Sequence, residues 1–143
     1  MIKAKPAINL QPTFFEWDLH FKVQIKDVPS AKRLALTKAN EEITFNKKHQ
    51  RTTDTNWIKY SRDFIREAIV GWTGMTYRHL LDICNPITLE PGVKLSDEVE
   101  FTEENLVFVL ENFRAEFSGF VVNAVDRIAE IHAEQQKKEL ENL

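Results

Sequence analysis

From His20 to Lys26 the chain alternates strictly, with Phe21, Val23 and Ile25 apolar and His20, Lys22, Gln24 and Lys26 polar. A period of two predicts a strand with one buried and one wet face. Pro29 and Ser30 close it and open a helix, with Ser30 as N-cap and Ala31, Leu34, Ala35 and Ala39 following. Ile43 and Phe45 then alternate with Glu42, Thr44 and Asn46, which predicts a second strand. A ribbon of residues 20–26 with 43–46 is stable only when helices lie beneath it. Residues 47–56 read as a basic polar connection.

Between Trp57 and Val70 the polar residues Lys59, Arg62, Asp63, Arg66 and Glu67 face away from Trp57, Ile58, Tyr60, Phe64, Ile65, Ala68 and Ile69. That spacing predicts an amphipathic helix capped by Asp54 or Thr55, stopped by Gly71, with Trp72 plugging the end of the core. Thr76 caps a short helix through Leu80, Leu81 and Ile83. Residues 85–100, with Pro86, Pro91 and Gly92, read as a loop. Thr102, Glu103 and Glu104 mark the next helix start. Leu106, Leu110, Phe113, Phe117, Val121, Ala124, Ile128 and Ile131 then form a heptad-like seam. It predicts a long C-terminal helix, broken near Glu111–Ala115 or at Gly119. The final residues, from Ala133, have few apolar anchors and are expected to project or fray.

The chain has 143 residues, 43% apolar and 29% charged, with four Gly and five Pro, the composition of one folded domain. Its expected parts are an irregular arm at 1–13, an aromatic arm, ribbon and helix at 14–46, and a helical part at 54–143 with the loop at 85–100. The fold class expected is α+β, mainly α: a small antiparallel β-ribbon packed on three to four helices, with a long C-terminal helix. The longest apolar run, Leu106 to Leu110, is far too short to span a membrane. No apolar segment of signal-peptide length lies in the first ten residues, so a cytoplasmic location is expected.

Net charge is −3, but residues 1–75 carry 13 Lys/Arg against 8 Asp/Glu and residues 76–143 carry 6 against 14. Two solvated faces of unequal sign account for this simply; head-to-tail contact between copies is the second reading.

Chemistry is sparse. Glycine occurs only at 71, 74, 92 and 119, so no phosphate-cradling loop or dinucleotide fingerprint is present. His20, His49, His79 and His132 are scattered, and a single cysteine, Cys84, excludes an internal disulfide and a Cys-based zinc site. The acidic group Asp97, Glu98, Glu100, Glu103 and Glu104 reads as a solvated helix entrance. The basic group Lys47, Lys48, His49 and Arg51 reads as an exposed turn rather than a nucleic-acid site, which needs a longer charge stripe backed by stacking aromatics. No enzyme activity, cofactor, metal or nucleic-acid partner is expected.

Apolar excess stands out instead. Val107, Phe108, Val109, Phe120, Val122 and Val125 lie beyond the seam, so this surface is either covered by the N-terminal ribbon or, in a domain with a limited interior, in part expected to meet another chain. The candidate contacts are Phe108, Phe117, Phe120, Val121 and Val125, and secondarily Phe14 and Trp17.

The order EITFNKKHQR, REAIVGWTGMT, YRHLLDI and EVEFTEENLVFVLENFRAEFSGFVVNAV, over about residues 42–132, resembles the tail assembly chaperones of long-tailed bacteriophages and prophages. The resemblance rests on Trp72 and Gly74 after a helix, on the helix start Phe101, Thr102, Glu104, Asn105 and Leu106, and on Phe113 and Phe117 in the closing helix. It implies a mostly helical, self-associating, non-catalytic factor acting in the host bacterial cytoplasm. Such a factor binds the tape measure protein before the tail tube polymerises and is absent from the finished particle. The alternative is a minor tail or connector protein retained in the virion. The stretch from Asn85 to Val99 is long for that pattern, and the aromatic N-terminal arm has no counterpart in it.

Overall fold

The computed structural model describes residues 1–7 and 10–143. The chain runs through β1 (Thr13–Glu16), β2 (Lys22–Ile25), α1 (Ser30–Ala39), β3 (Glu41–Phe45) and β4 (Arg51–Thr55). It continues through α2 (Trp57–Ala68), β5 (Ile69–Thr73), α3 (Tyr77–Ile83), α4 (Glu103–Asn112) and α5 (Ala115–Glu141). Among the described residues 47% are helical and 19% lie in strands or isolated β-bridges. The expected mainly helical molecule with one ribbon is therefore corrected to an α+β fold of five helices and two small antiparallel sheets. The long C-terminal helix is present as α5.

The expected pairing of 20–26 with 43–46 does not form. β2 lies between β1 and β5, with Phe15 opposite Val23, Val23 opposite Trp72, and Ile25 opposite Ile69. These apolar partners come from distant parts of the chain and give β2 a fully buried inner face, Val23 and Ile25, which no pairing with the exposed β3 would supply. β3 pairs instead with β4, from Glu41 opposite Thr55 to Phe45 opposite Arg51. The reading of 47–56 as a connection missed β4 because RTTDT has no alternating apolar residue. A turn built on Asn46 closes this hairpin: its side-chain oxygen accepts the Lys48 and Gln50 N–H groups at 2.9 and 3.0 Å, and His49 takes a left-handed φ of 60°.

Two caps differ from expectation. Pro29 occupies the N-cap position of α1 and Ser30 is its first helical residue; Asn56, not Asp54 or Thr55, caps α2 by accepting the Lys59 N–H at 3.1 Å. Thr102 caps α4 through the Asn105 N–H at 3.1 Å, as its spacing predicts. α2 stops at Ala68 rather than Val70, because Ile69 turns extended and joins β2 as the start of β5. Gly71 is thus a strand residue; the left-handed position is Gly74, at φ 71°.

The core lies where the inner face of β1–β2–β5 meets α2 and α5. Phe64, Ile65 and Ala68 of α2, Phe117, Val121, Ala124, Val125 and Ile128 of α5, and Leu106, Val109 and Leu110 of α4 are all buried there. The break between α4 and α5 falls at Phe113 and Arg114, both extended, inside the first of the two predicted windows. It is held by the Arg114 N–H on the Ile83 carbonyl and the Asn85 N–H on the Asn112 carbonyl, both 2.7 Å. Gly119 sits inside α5.

The loop at 85–100 has no helix or strand of its own, but its second half is tied down. The Trp72 indole N–H donates to the Val99 carbonyl at 2.8 Å, the Val99 N–H reaches the Met75 carbonyl at 2.8 Å, and Tyr77 and Arg78 donate to Asp97 and Leu95 at 3.1 Å. Trp72 therefore closes the core and also anchors the loop.

A Cβ at Gly74 would lie 1.8 Å from the His20 carbonyl oxygen, where the β1–β2 connection crosses the chain after β5. Gly74→Ala combines that clash with a left-handed backbone and should cost about 2–4 kcal/mol. Gly119→Ala, whose Cβ meets nothing within 4 Å, should stabilise by about 0.5–1 kcal/mol through helix propensity. Urea unfolding of both variants checks the pair; a neutral Gly74→Ala would mean the connection does not cross there.

Candidate partner-binding surface

The C-terminal candidates divide sharply. Phe117, Val121 and Val125 are fully buried, because α5 packs against both α2 and the β1–β2–β5 sheet. The apolar excess predicted for this region is mostly consumed by the molecule's own core, which corrects the expectation that these three side chains face a partner. Phe120 is half-buried: Trp17 stacks edge-on against it at 5.3 Å and tilts onto Phe117 at 5.9 Å. The aromatic arm thus includes β1 and a Trp17 clasp on α5. Phe14, on the outer face of β1, stays exposed. Phe108, 40% exposed, edges a cleft of about 300 Å³ shared with Tyr77, Leu80 and Val99 beneath the loop.

Two adjacent exposed apolar residues on a helix lie elsewhere. Phe64 and Ile65 are buried, while Trp57 and Ile58, seven residues earlier on the same face of α2, are 62% and 75% exposed. Residues i and i+7 share one face of a helix, so the stripe that enters the core at its C-terminal end runs out into solvent at its N-terminal end. There α2 borders the α4–α5 junction and forms a groove of about 430 Å³, lined by Trp57, Ile58, Arg62, Leu110, Glu111 and Phe113 among others. Asn56 caps this end of α2, Trp57 packs edge-on against Tyr60 at 5.3 Å, and Arg62 fixes the groove floor by donating to the Leu110 carbonyl at 3.2 Å. The groove is therefore pre-formed, with apolar walls from Trp57, Ile58, Leu110, Phe113 and Ala115 and polar groups from Ser61, Asn85, Ser118, Arg62 and Glu111 among them.

Sequence reasoning assigned Trp57 and Ile58 to the core-facing side of this helix. The periodicity correctly placed them on that side, but only the arrangement of neighbouring helices shows that the core ends one turn short of them. Ile43 and Phe45 were likewise missed as surface residues; they are 55% and 68% exposed, on a hairpin with no buried position in β3.

The titratable groups that cluster are tied up in packing. His79, buried in α3, accepts the Thr76 backbone N–H on Nδ1 at 3.0 Å, which leaves its proton on Nε2, directed at Asp18 Oδ2 2.8 Å away. Asp18 also receives the His20 and Phe21 N–H groups on Oδ1 at 2.9 and 2.8 Å. The result is a clip from the β1–β2 connection to the start of α3, with histidine in the role a glutamate takes in a capping box. Partial burial alone would raise the Asp18 carboxyl, but the Phe21 and His20 N–H groups and the His79 ring outweigh it and hold the carboxyl below its ordinary value of 3.8. Cys84 is buried, and desolvation pushes its thiol up to about 11 against the opposing charge of Arg114, so it stays protonated at neutral pH.

Among the described residues no group of three or more His, Cys, Asp or Glu is gathered to hold a metal, and no helix is long and apolar enough to cross a membrane. Lys47, Lys48 and Arg51 are exposed together at the β3–β4 turn, apart from the groove-lining residues. No protein-family model, curated protein or solved structure matches this chain.

The Asp18 carboxylate has a depressed folded pKa, so its stabilising contribution is fully present above the unfolded value near 3.8 and is lost as pH falls through the lower folded value. Asp18→Ala should cost about 1 kcal/mol at pH 7, at the low end for a charged hydrogen-bonded group because the side chain is partly solvated. Its unfolding midpoint should then fall less steeply than the parent's between pH 5 and 2.5. Parallel slopes in urea titrations across that range would show that the clip contributes no linkage.

Proposed function

We propose that this protein is a non-catalytic tail assembly chaperone that binds the tape measure protein of a phage or prophage in the host cytoplasm. The observation that carries the reading is the exposed end of the α2 stripe, Trp57 and Ile58, continuous with Leu110 and Phe113 in a pre-formed groove. An amphipathic helix lays its apolar residues into such a groove at i, i+3, i+4 and i+7 spacing. A long helical tape measure offers that ligand repeatedly, and would otherwise aggregate through the same residues.

Affinity in this scheme comes from desolvating a few large side chains. Trp57 is the expected anchor, because a tryptophan in a partly enclosed groove contributes more than the surrounding contacts. Arg62 and Glu111, the charged residues lining the groove, set orientation and register rather than strength. Phe108 and Phe14, exposed on other parts of the surface, are secondary contacts for a ligand long enough to pass over more than one face. Binding is stoichiometric and reversible, which allows the growing tube to displace the protein.

Co-expression with the tape measure gene from the same locus tests this reading. The tape measure should be substantially more soluble with the intact protein than without it. Trp57→Ala should weaken binding of a tape measure fragment at least about tenfold, and Ile58→Glu should abolish the gain in solubility while the variant itself stays folded, since both positions are exposed. Equal solubility with and without the protein would defeat the proposal.

A further inference from the structure

The β3–β4 hairpin stands apart from the rest of the molecule. Every residue of β3 is exposed, although a two-stranded hairpin is marginal by itself in water. Its anchorage is at the base, where the Asn56 N–H donates to the Asn40 carbonyl at 2.8 Å and the Asn56 side chain donates to Glu42 at 2.8 Å.

The backbone of β3 has an unfilled side. Hydrogen bonds from Asn56 to Asn40 at one end and from Asn46 to Gln50 at the other fix the phase of the ladder. In an antiparallel pair such bonds recur at every second residue, so the even positions of β3 bond to β4. The N–H and C=O groups of Glu41, Ile43 and Phe45 consequently point to the outer edge, and no backbone partner meets them there among the described residues. The same three residues share one face, which carries an acidic, a β-branched and an aromatic side chain in order.

We propose that two copies of this chain join through this edge, β3 against β3 in antiparallel register, to make a continuous four-stranded sheet across a two-fold axis at Thr44. In this register Ile43 lies opposite Phe45 of the second copy and Phe45 opposite its Ile43, each pair exchanging both backbone bonds. Lys47, in the turn just after β3, comes alongside Glu41 of the second copy at both ends. Aromatic against β-branched and opposite against opposite charge are the favourable cross-strand pairs. On the other face, Glu42 meets Asn46 and Thr44 meets Thr44, so no like charges are opposed. Lys47 has no ion-pair partner within its own chain among the described residues, which leaves it free for this one. The β4 edge offers no equivalent: Arg51, Thr53 and Thr55 lack an apolar pair to bury. No residue of β3 or β4 lines the α2 groove, so the contact rests on different side chains from tape measure binding.

Sedimentation equilibrium of the full chain at about 0.1 mM and low salt is expected to give about twice the 16.7 kDa monomer mass. Glu41→Lys and Lys47→Glu should each weaken the dimer about tenfold or more by opposing like charges at both ends. The combined Glu41→Lys, Lys47→Glu variant should restore it. Thr44→Cys should form an intermolecular disulfide under mild oxidation, since residues facing each other across a non-hydrogen-bonded pair are within bridging distance, whereas Thr52→Cys on β4 should not. A monomer at all concentrations overturns the proposal, as does a dimer indifferent to the single reversals, a double reversal that fails to rescue, or equal cross-linking at both cysteine positions. Circular dichroism matching the parent confirms that each variant is folded.

Discussion

Helix α2 carries its apolar residues along one side, and the arrangement of the molecule follows from keeping most of that side dry. α1, α4, α5 and β5 all pack against it. Phe64 and Ile65 sit among Val121, Val125 and the inner face of the β1–β2–β5 sheet as one continuous core. Because the covering elements reach Phe64 and Ile65 but not Trp57 and Ile58, the first turn of the stripe remains uncovered. The groove with Trp57 and Ile58 is the remainder of the same hydrophobic face that organises the interior. Core and candidate binding surface are in that sense one feature with two fates.

Polar groups are arranged to permit this packing. No buried side-chain nitrogen or oxygen lacks a hydrogen-bond partner among the described residues, which matters because an unpaired buried polar atom costs about 1–3 kcal/mol. Asn40, a buried amide, donates to the Leu36 carbonyl at 2.8 Å and to Asp63 at 3.0 Å, so it fastens the end of α1 to α2. Arg33 donates to the Val28 carbonyl and to Asp126, both at 2.9 Å, and its guanidinium lies over the Phe64 ring. Long-range ties of this kind hold elements that local propensity alone would leave loosely docked.

The two surfaces proposed for binding differ in physical character and share no residue. The α2 groove recognises shape and apolar area through side chains, whereas the β3 edge offers a ladder of backbone donors and acceptors whose register is set by Glu41 and Lys47. If both proposals hold, the pair would present two grooves to one long helical ligand, raising effective affinity by avidity. The head-to-tail contact suggested by the opposed charges of the two halves of the chain is not required for this arrangement.

Local signals were legible in the amino-acid order. The alternation around Phe21, Val23 and Ile25, the amphipathic period of α2, the helix start at Thr102 and the seam from Leu106 to Ile128 each depend on residues within a few turns of one another. Strand partners were not legible: β2 finds β5 more than forty residues away, and neither Ile69 nor Trp72 shows in the sequence which strand it will face. β4 was hidden because an exposed strand needs no apolar alternation. Burial was undecided for the same reason. Phe117 and Ile58 look equivalent as apolar residues on amphipathic helices, yet one is sealed by β2 and Trp17 while the other lies beyond the last covering element. Periodicity sets which side of a helix is apolar; only the positions of the neighbouring elements determine how far along that side water is excluded.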